Sequence, residues 1–196
     1  GFVVGTDDGV NANGANFVAW NWKANGAGAT NEDGSINTTK TSASTTSGFS
    51  ISTYTGTGSN ATIGHGLGVV PKMIIVKRLD VSSSWRIYHA SLGNTKNIIL
   101  NSAAAEATSS TMWNNTSPTS TTFSLGSYDQ VNGSSAPHVA YCFADVQGYS
   151  KFGSYKGNGN NNGTFTFLGF KPAFLIIRRT DTGNSWYMYT GKTSTS

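Results

Sequence analysis

Charged side chains are scarce in this chain of 196 residues, where Asp, Glu, Lys and Arg together make up 11% of the sequence. That is less than half of their usual share in globular proteins. The net charge of +4 reflects a shortage of acids, of which there are nine, and the basic residues are scattered along the chain. A nucleic-acid-binding protein needs a dense basic tract or face, so the sequence predicts no nucleic-acid partner.

Disulfides and membrane spans are excluded by what the sequence lacks. Cys142 is the single cysteine, and its place in the apolar run HVAYCFADV predicts a small buried side chain. No stretch approaches the roughly 18 apolar residues of a membrane span, and the first residues lack the pattern of a signal peptide. We therefore expect no membrane insertion. Because the chain begins with Gly in the strand-like stretch GFVVG, we expect it to be a piece of a longer protein.

Catalytic and metal-binding signatures are missing as well. The chain contains no G-x-S-x-G or H-E-x-x-H sequence, and His65, His89 and His138 do not recur in the internal repeat described below. The oxygen-rich stretch TDDGVNANG fails as a calcium loop, because Gly9 and Val18 stand where ligands are required. We expect an Asx-rich turn there. The sequence predicts a protein that is not an enzyme, with no metal and no cofactor.

Gly, Ser, Thr and Asn fill the place of the charged residues, and 12% of the chain is aromatic. Short segments rich in β-branched or aromatic residues alternate with turns containing Gly, Asn, Ser or Pro. This pattern predicts an all-β protein of tandem β-sandwich, jelly-roll-like modules with Gly/Asn/Ser/Thr-rich loops. At most one or two short helical turns are expected, one of them at residues 102–113 with Ser102 as its N-cap.

Two segments of the sequence occur twice. Segment X, residues 2–22, recurs as residues 123–143. Segment Y, residues 48–88, recurs as residues 148–189, where GLGVVPKMIIVKR becomes FLGFKPAFLIIRR. Segment Z, residues 91–122, occurs once. The order along the chain is therefore X, Y, Z, X, Y, which is typical of tandem modules.

Two divisions into domains fit this order. In the first, residues 1–90 form one β module that contains a long polar loop or flexible connector at residues 25–48. Residues 91–122 connect this module to a second one, residues 123–196, which is either complete or truncated. In the alternative, residues 48–146 form one full unit of Y, Z and X, flanked by partial units. The repeat by itself does not decide between them.

The repeated stretch GLGVVPKMIIVKR is interpreted as a structural marker. Pro71 and Pro172 cannot donate to a β-ladder, so each is expected to begin the strand that follows. The apolar runs at 73–76 and 174–177 predict central strands that are buried on both faces. A phosphate-binding loop is excluded, because a Pro and a strand follow where a Lys and a helix are required.

Aromatic and amide side chains near turns are the candidate ligand contacts. Trp85 and Trp186 occupy equivalent places in the two Y segments, and we expect core positions, with an aromatic platform for a sugar ring as the alternative. Buried rings would favour a mechanical role, and exposed rings in a cleft would favour sugar binding. The candidate ligand-binding residues are Tyr54, Tyr155, Asn158, Asn160, Asn161, Trp85 and Trp186.

The succession GFSISTYTGTGSNATIGHGLGVVPKMIIVKR, SWRIYHASLGNTK, WNNTSPTSTTFSLG and VAYCFADVQGYSKFGSYKGNG resembles an uncharacterised β-rich repeat domain of marine tailed phages. Those phages infect cyanobacteria and other ocean bacteria, and the resemblance covers nearly the whole chain. It implies a structural protein of a tail fibre or receptor-binding part, usually a homotrimer in contact with other virion proteins. It supplies no catalytic or binding residues.

Composition and resemblance together predict a non-enzymatic structural protein of a bacteriophage virion, located outside the cell. As a tail-fibre module it would serve host attachment or fibre spacing. A neutral surface rich in Asn, Ser, Thr and Gly suits weak hydrogen bonding to a host-surface glycan. The alternatives are a carbohydrate-binding or adhesin module of a secreted bacterial protein, a head fibre or decoration protein, and a glycan-degrading enzyme domain with two facing carboxylates.

Overall fold

A computed structural model describes residues 1–191, which form eleven β-strands and two helical turns. The strands are β1 Lys40–Ser44, β2 Phe49–Thr55, β3 Ala61–Gly64, β4 Met73–Arg78, β5 Arg86–His89, β6 Lys96–Ile99, β7 Ala107–Thr108, β8 Thr122–Leu125, β9 Pro137–Phe143, β10 Phe174–Ile177 and β11 Tyr187–Thr190. The helical turns are α1 Asp8–Asn11 and α2 Asp129–Asn132. The predicted all-β class with at most two helical turns is confirmed, while the jelly-roll-like arrangement stays a prediction. No helix within residues 1–191 could cross a membrane.

Seven strands form one antiparallel sheet in the order β1-β2-β9-β4-β5-β6-β7. Strand β9, from the second X segment, lies between β2 and β4, both from the first Y segment. Tyr141 of β9 is consequently opposite Ile51 on one side and Ile75 on the other. Segment Z supplies β6 and β7 at one edge. One Y, one Z and one X segment contribute strands to this sheet, and we call residues 48–146 the central unit. Strand β1, from residues 25–48, adds an edge strand to the same sheet, and the division into domains stays a prediction.

The core lies between one face of this sheet and the separate β3–β8 pair. Ile63 of β3 and Phe123 of β8 join Ile74 of β4 in one buried cluster. Segment Z adds Trp113, which is buried in the same cluster and donates from Nε1 to the Lys96 carbonyl at 3.0 Å. Burying an apolar side chain of this size stabilises a fold by about 1.5–3 kcal/mol. Segment Z is therefore part of the packed unit.

The apolar run of β4 is central, because β4 is the middle strand of the seven. Ile74 and Val76 point into the core and are buried, whereas Met73 and Ile75 on the opposite face are only half-buried. The prediction that this strand is buried on both faces is therefore confirmed for one face and only partly met for the other. The repeat copy β10 pairs with β11 in a two-stranded sheet, so the same sequence pattern occupies the centre of one sheet and the edge of another.

Residues 102–113 contain no helix, contrary to the sequence prediction. The stretch includes the short strand β7, paired with β6. Glu106 holds the chain extended, because its carboxylate pairs with Lys96 and its amide donates to the Thr180 carbonyl at 2.8 Å. Ser102 Oγ accepts a local backbone hydrogen bond but caps no helix. These tertiary contacts outweigh the modest helix propensity of the three consecutive alanines.

The long polar loop or flexible connector predicted at residues 25–48 is interrupted by the edge strand β1, so the prediction is wrong for residues 40–44. Ala29 and Thr41 exchange two backbone hydrogen bonds of 3.1 and 2.6 Å. Thr38 is buried, and the Thr41 hydroxyl lies 2.9 Å from the hydroxyl of Ser52 in β2. Hydroxyl and backbone hydrogen bonds hold the segment on the sheet. The absence of apolar runs in its sequence therefore does not indicate an exposed loop.

Asn132 joins the X and Y segments, and its truncation should destabilise the fold. Its buried amide donates to the carbonyls of Ser59 at 2.6 Å and Gly126 at 3.0 Å, and its Oδ1 accepts from Thr57 N at 2.8 Å. Asn132→Ala leaves these backbone groups unpaired. It should lower the free energy of unfolding, measured by urea denaturation, by about 2–4 kcal/mol.

A matched control is Asn60, which is exposed beside the same turn. Asn60→Ala should change the free energy of unfolding by less than about 0.5 kcal/mol. Similar losses in the two variants would contradict a specific role for the buried amide.

Candidate functional site

Tyr54 and His138 form a buried stack on the core face of the sheet. Their ring centroids are 5.2 Å apart and the rings are nearly parallel, at 8°. Tyr54 Oη donates to the Val131 carbonyl at 2.6 Å, and His138 Nδ1 lies 2.9 Å from the Ala136 carbonyl. Tyr54 is only 1% exposed, so its predicted role as a surface ligand contact is wrong. Its hydroxyl instead holds segment X against segment Y.

The two equivalent tryptophans are half-buried against protein groups. Trp85 stacks on Tyr141, with ring centroids 6.1 Å apart. Trp186 lies beside the Arg178 guanidinium, 5.1 Å from its ring centroid, and Nε1 donates to the Ile99 carbonyl at 3.4 Å. These contacts favour structural roles for both rings over a sugar-binding platform.

Tyr155 and three asparagines lie on one exposed stretch of the second Y segment. Asn158 Nδ2 donates to the Asn162 carbonyl at 2.9 Å, and Asn158 Oδ1 accepts from Asn160 N at 3.1 Å, which makes an Asx turn. Asn161 is exposed next to them. The structure therefore places four of the predicted contact residues together on one exposed stretch.

A polar cleft of about 340 Å³, which sequence reasoning missed, lies between residues 25–31 and β1. The Asn31 side chain in its wall is engaged with Asp33, donating to the carboxylate at 2.9 Å and accepting from its amide at 3.0 Å. Thr41 is engaged with Ser52 as described above. Such a cleft can accept a small neutral hydrogen-bonding group. The polar atoms of Asn31 and Thr41, however, already form hydrogen bonds with other residues of the protein.

The repeated sequence has repeated geometry. Helical turns α1 and α2 occupy matching positions of the two X segments. The β10–β11 hairpin has the register of the β4–β5 hairpin, so that Leu175 faces Tyr189 as Ile74 faces Tyr88. Pro71 and Pro172 each stand two residues before the strand and do not begin it. Each segment thus carries its own local structure in both of its contexts.

Ion pairs repeat in the same way and also join X to Y. Arg78 pairs with Asp80 at 2.7 Å, and Arg179 pairs with Asp181 at 2.6 Å. The hydrogen bond from the arginine lowers the pKa of each aspartate below its usual value. Arg78 also reaches Asp129 of α2 at 2.5 Å, which ties the second X segment to the first Y segment.

The cysteine and two of the three histidines are buried. Burial raises the pKa of Cys142 to about 12, which keeps its thiol protonated at neutral pH. The buried His65 accepts from Leu67 N at 3.2 Å through Nδ1. Across residues 1–191, no three or more His, Cys, Asp or Glu side chains are grouped so that they could hold a metal ion.

Comparison with known proteins identifies a family by sequence. The model of the family described as "Domain of unknown function (DUF7483)" matches residues 1–196. No curated protein and no solved structure matches the chain.

Mild acid should destabilise the fold through its histidines. Burial lowers the pKa of His65, His89 and His138 below the ordinary value of 6.5, so the unfolded chain binds protons at a higher pH than the folded chain. Their contribution to stability is complete above pH 6.5 and is lost as the pH falls towards the lower folded pKa values. The urea midpoint should therefore decrease between about pH 7.5 and about pH 5.

His138→Phe isolates one part of this effect, because Phe17 stands at the matching position of the first X segment. Phenylalanine can keep the stack on Tyr54 but does not titrate. The urea midpoint of this variant should change less between the two pH values than that of the parent protein. An equally steep change would show that His138 does not contribute to the pH dependence.

Proposed function

Given that the chain belongs to the DUF7483 family, we propose that it is a non-enzymatic structural module of a phage tail fibre. In this role it spaces the fibre or takes part in attachment to the host surface. Its partners are further copies of itself, in a homotrimer, and other virion proteins. Its location is the virion, outside the cell.

The observation that carries this proposal is the repetition of backbone geometry along the chain. The β4–β5 and β10–β11 hairpins share one register, and the X segments share the positions of their helical turns. Proteins built from repeated supersecondary units extend by contacts between neighbouring units. An extended fibre is the kind of assembly that such a chain suits.

The surface chemistry supports attachment as well as spacing. Asn158, Asn160 and Asn161 present amides on an exposed stretch, and the chain as a whole carries few charges. Amides of this kind can make weak hydrogen bonds with the hydroxyl groups of a glycan. A dedicated sugar-binding module is less well supported, because Asn31 and Thr41 of the polar cleft bind other protein groups.

Immunogold electron microscopy would test the proposed function. Antibodies raised against the purified chain would be applied to particles of the phage whose genome encodes it, with particles of an unrelated phage as the control. Gold on the tail fibres is the expected result. Gold confined to the capsid would indicate a head decoration protein, and particles without gold would show that the chain is not an exposed virion component. Either result would contradict the proposal.

A further inference from the structure

The residues that fill the core of the central unit have exposed counterparts in the other X and Y segments. Val131 is fully buried, but Val10, which matches it in the first X segment, is 51% exposed. Tyr54 is 1% exposed, whereas Tyr155, its match in the second Y segment, is 52% exposed. Other exposed matches of core residues are Phe2, Val4, Val18, Leu175 and Tyr189. Apolar side chains exposed in this number call for a covering partner.

The central unit shows what covers this kind of surface. There, β9 of segment X enters between β2 and β4 of segment Y. The match of β9 is residues 16–22, and the matches of β2 and β4 are residues 149–156 and β10. We propose that residues 16–22 form an antiparallel strand between residues 149–156 and β10 of the same chain, forming a second unit of one X and one Y segment without segment Z. This inference goes beyond the proposed function and does not depend on it.

Ring contacts already place the two segments side by side. Trp20 and Trp22 lie 5.6 and 6.3 Å from Phe174, measured between ring centroids. In the central unit Phe143 is opposite Met73, and the matching pair is Trp22 and Phe174. Residues 16–22 do not form a strand in the described structure. The proposed pairing therefore adds the backbone hydrogen bonds between residues 16–22 and the two segments beside them.

A tether favours the chain's own segment over that of a second copy. Ser47 Oγ donates to the Lys23 carbonyl at 2.9 Å, and Trp22 packs on Phe49 and Phe143 of the central sheet. The exit of residues 16–22 is therefore fixed next to Phe174. Because Trp22 already lies against Phe174 of the same chain, pairing within the chain has a higher effective concentration than pairing with a second copy.

Charges and hydrogen bonds match this arrangement as well. Arg78 bridges Asp80 and Asp129 in the central unit. Arg179 already holds Asp181, and Asp8, in the first turn of α1, is the match of Asp129. Closure of the second unit brings Arg179 to Asp8. This pair has the opposite charges that the arrangement requires.

The first X segment already forms one of the hydrogen bonds that stabilise the second X segment in the central unit. Asn11 donates to the Gly5 carbonyl at 2.7 Å, as Asn132 donates to the Gly126 carbonyl at 3.0 Å. By the same matching, the Tyr155 hydroxyl donates to the Val10 carbonyl after closure. Closure therefore buries Tyr155, and the asparagines of the adjoining turn become the exposed part of that surface.

Disulfide trapping would test the register. Val76 is opposite Ala140 in the central unit, and the matching pair is Ile177 and Ala19. In the full chain with Ala19→Cys and Ile177→Cys, mild oxidation should link the two cysteines within monomers, since opposed residues of paired strands have Cα separations that suit a disulfide. Cys142 is buried and serves as an internal unreactive thiol.

The control variant carries Ala19→Cys and Ile176→Cys, which places the second thiol one residue out of register. Peptide mass spectrometry should find at least about ten times less bond in this control. Equal disulfide yields in the two variants would mean that the cysteines meet by random collision. A bond found only in covalent dimers would mean that a second copy supplies the strand. No bond at all would mean that the segments do not pair, and each of these three results would overturn the proposal.

Hydrogen exchange on the unaltered chain avoids any effect of substitution on folding. The amides of Val18 and Trp20 should exchange at least about tenfold more slowly than those of an unstructured peptide. Exchange at the unprotected rate would overturn the proposal independently of the disulfide result.

Discussion

The central unit depends on β9 being held between β2 and β4. Without this strand, the two parts of segment Y would not share a sheet, because β2 and β4 are both bonded to β9 and not to each other. The contact joins residues far apart in sequence, such as Phe49 and Phe143, whose ring centroids are 4.9 Å apart. Closing a long loop costs little more than closing a moderate one, about 0.6 kcal/mol for each doubling of its length. The Tyr54 hydroxyl and the Asn132 amide then fix the strand in place.

This constraint explains how the chain can be modular. Segment X brings a strand without neighbours, and segment Y brings a gap between β2 and β4. Each is incomplete alone, and an X segment and a Y segment therefore complement each other within one sheet. The proposed role in a fibre rests on this repeated geometry together with the neutral surface.

The periodic features of the fold could be predicted from the sequence, and those that depend on tertiary contact could not. Alternation and turn residues predicted the all-β class, and the apolar run Met73–Val76 predicted a central strand. The helix expected at residues 102–113 fails because Glu106 pairs with Lys96 and with the Thr180 carbonyl, which local propensity cannot reveal. Strand β1 was missed because Thr and Ser hold it, without an apolar signal.

The candidate site residues, too, could be predicted from the sequence only where tertiary contacts do not decide their burial. Tyr54 resembled a turn aromatic, yet it shares the buried face of β2 with Ser50 and Ser52. Two serines on a core face conceal the alternation that would have predicted its burial. For Tyr155 the exposure was predicted, but its match to the buried Tyr54 of the central unit becomes visible only once β9 is seen between β2 and β4.

Nuclear magnetic resonance of the full chain would test the position of β9 most directly. Cross-strand nuclear Overhauser effects should connect the backbone of Tyr141 with both Ile51 and Ile75, its opposite residues in the sheet. This is the result that the account predicts. Effects that connect Tyr141 with residues 149–156 and with β10, the Y segment that follows it, would show that X pairs with the next Y and would contradict the unit described here.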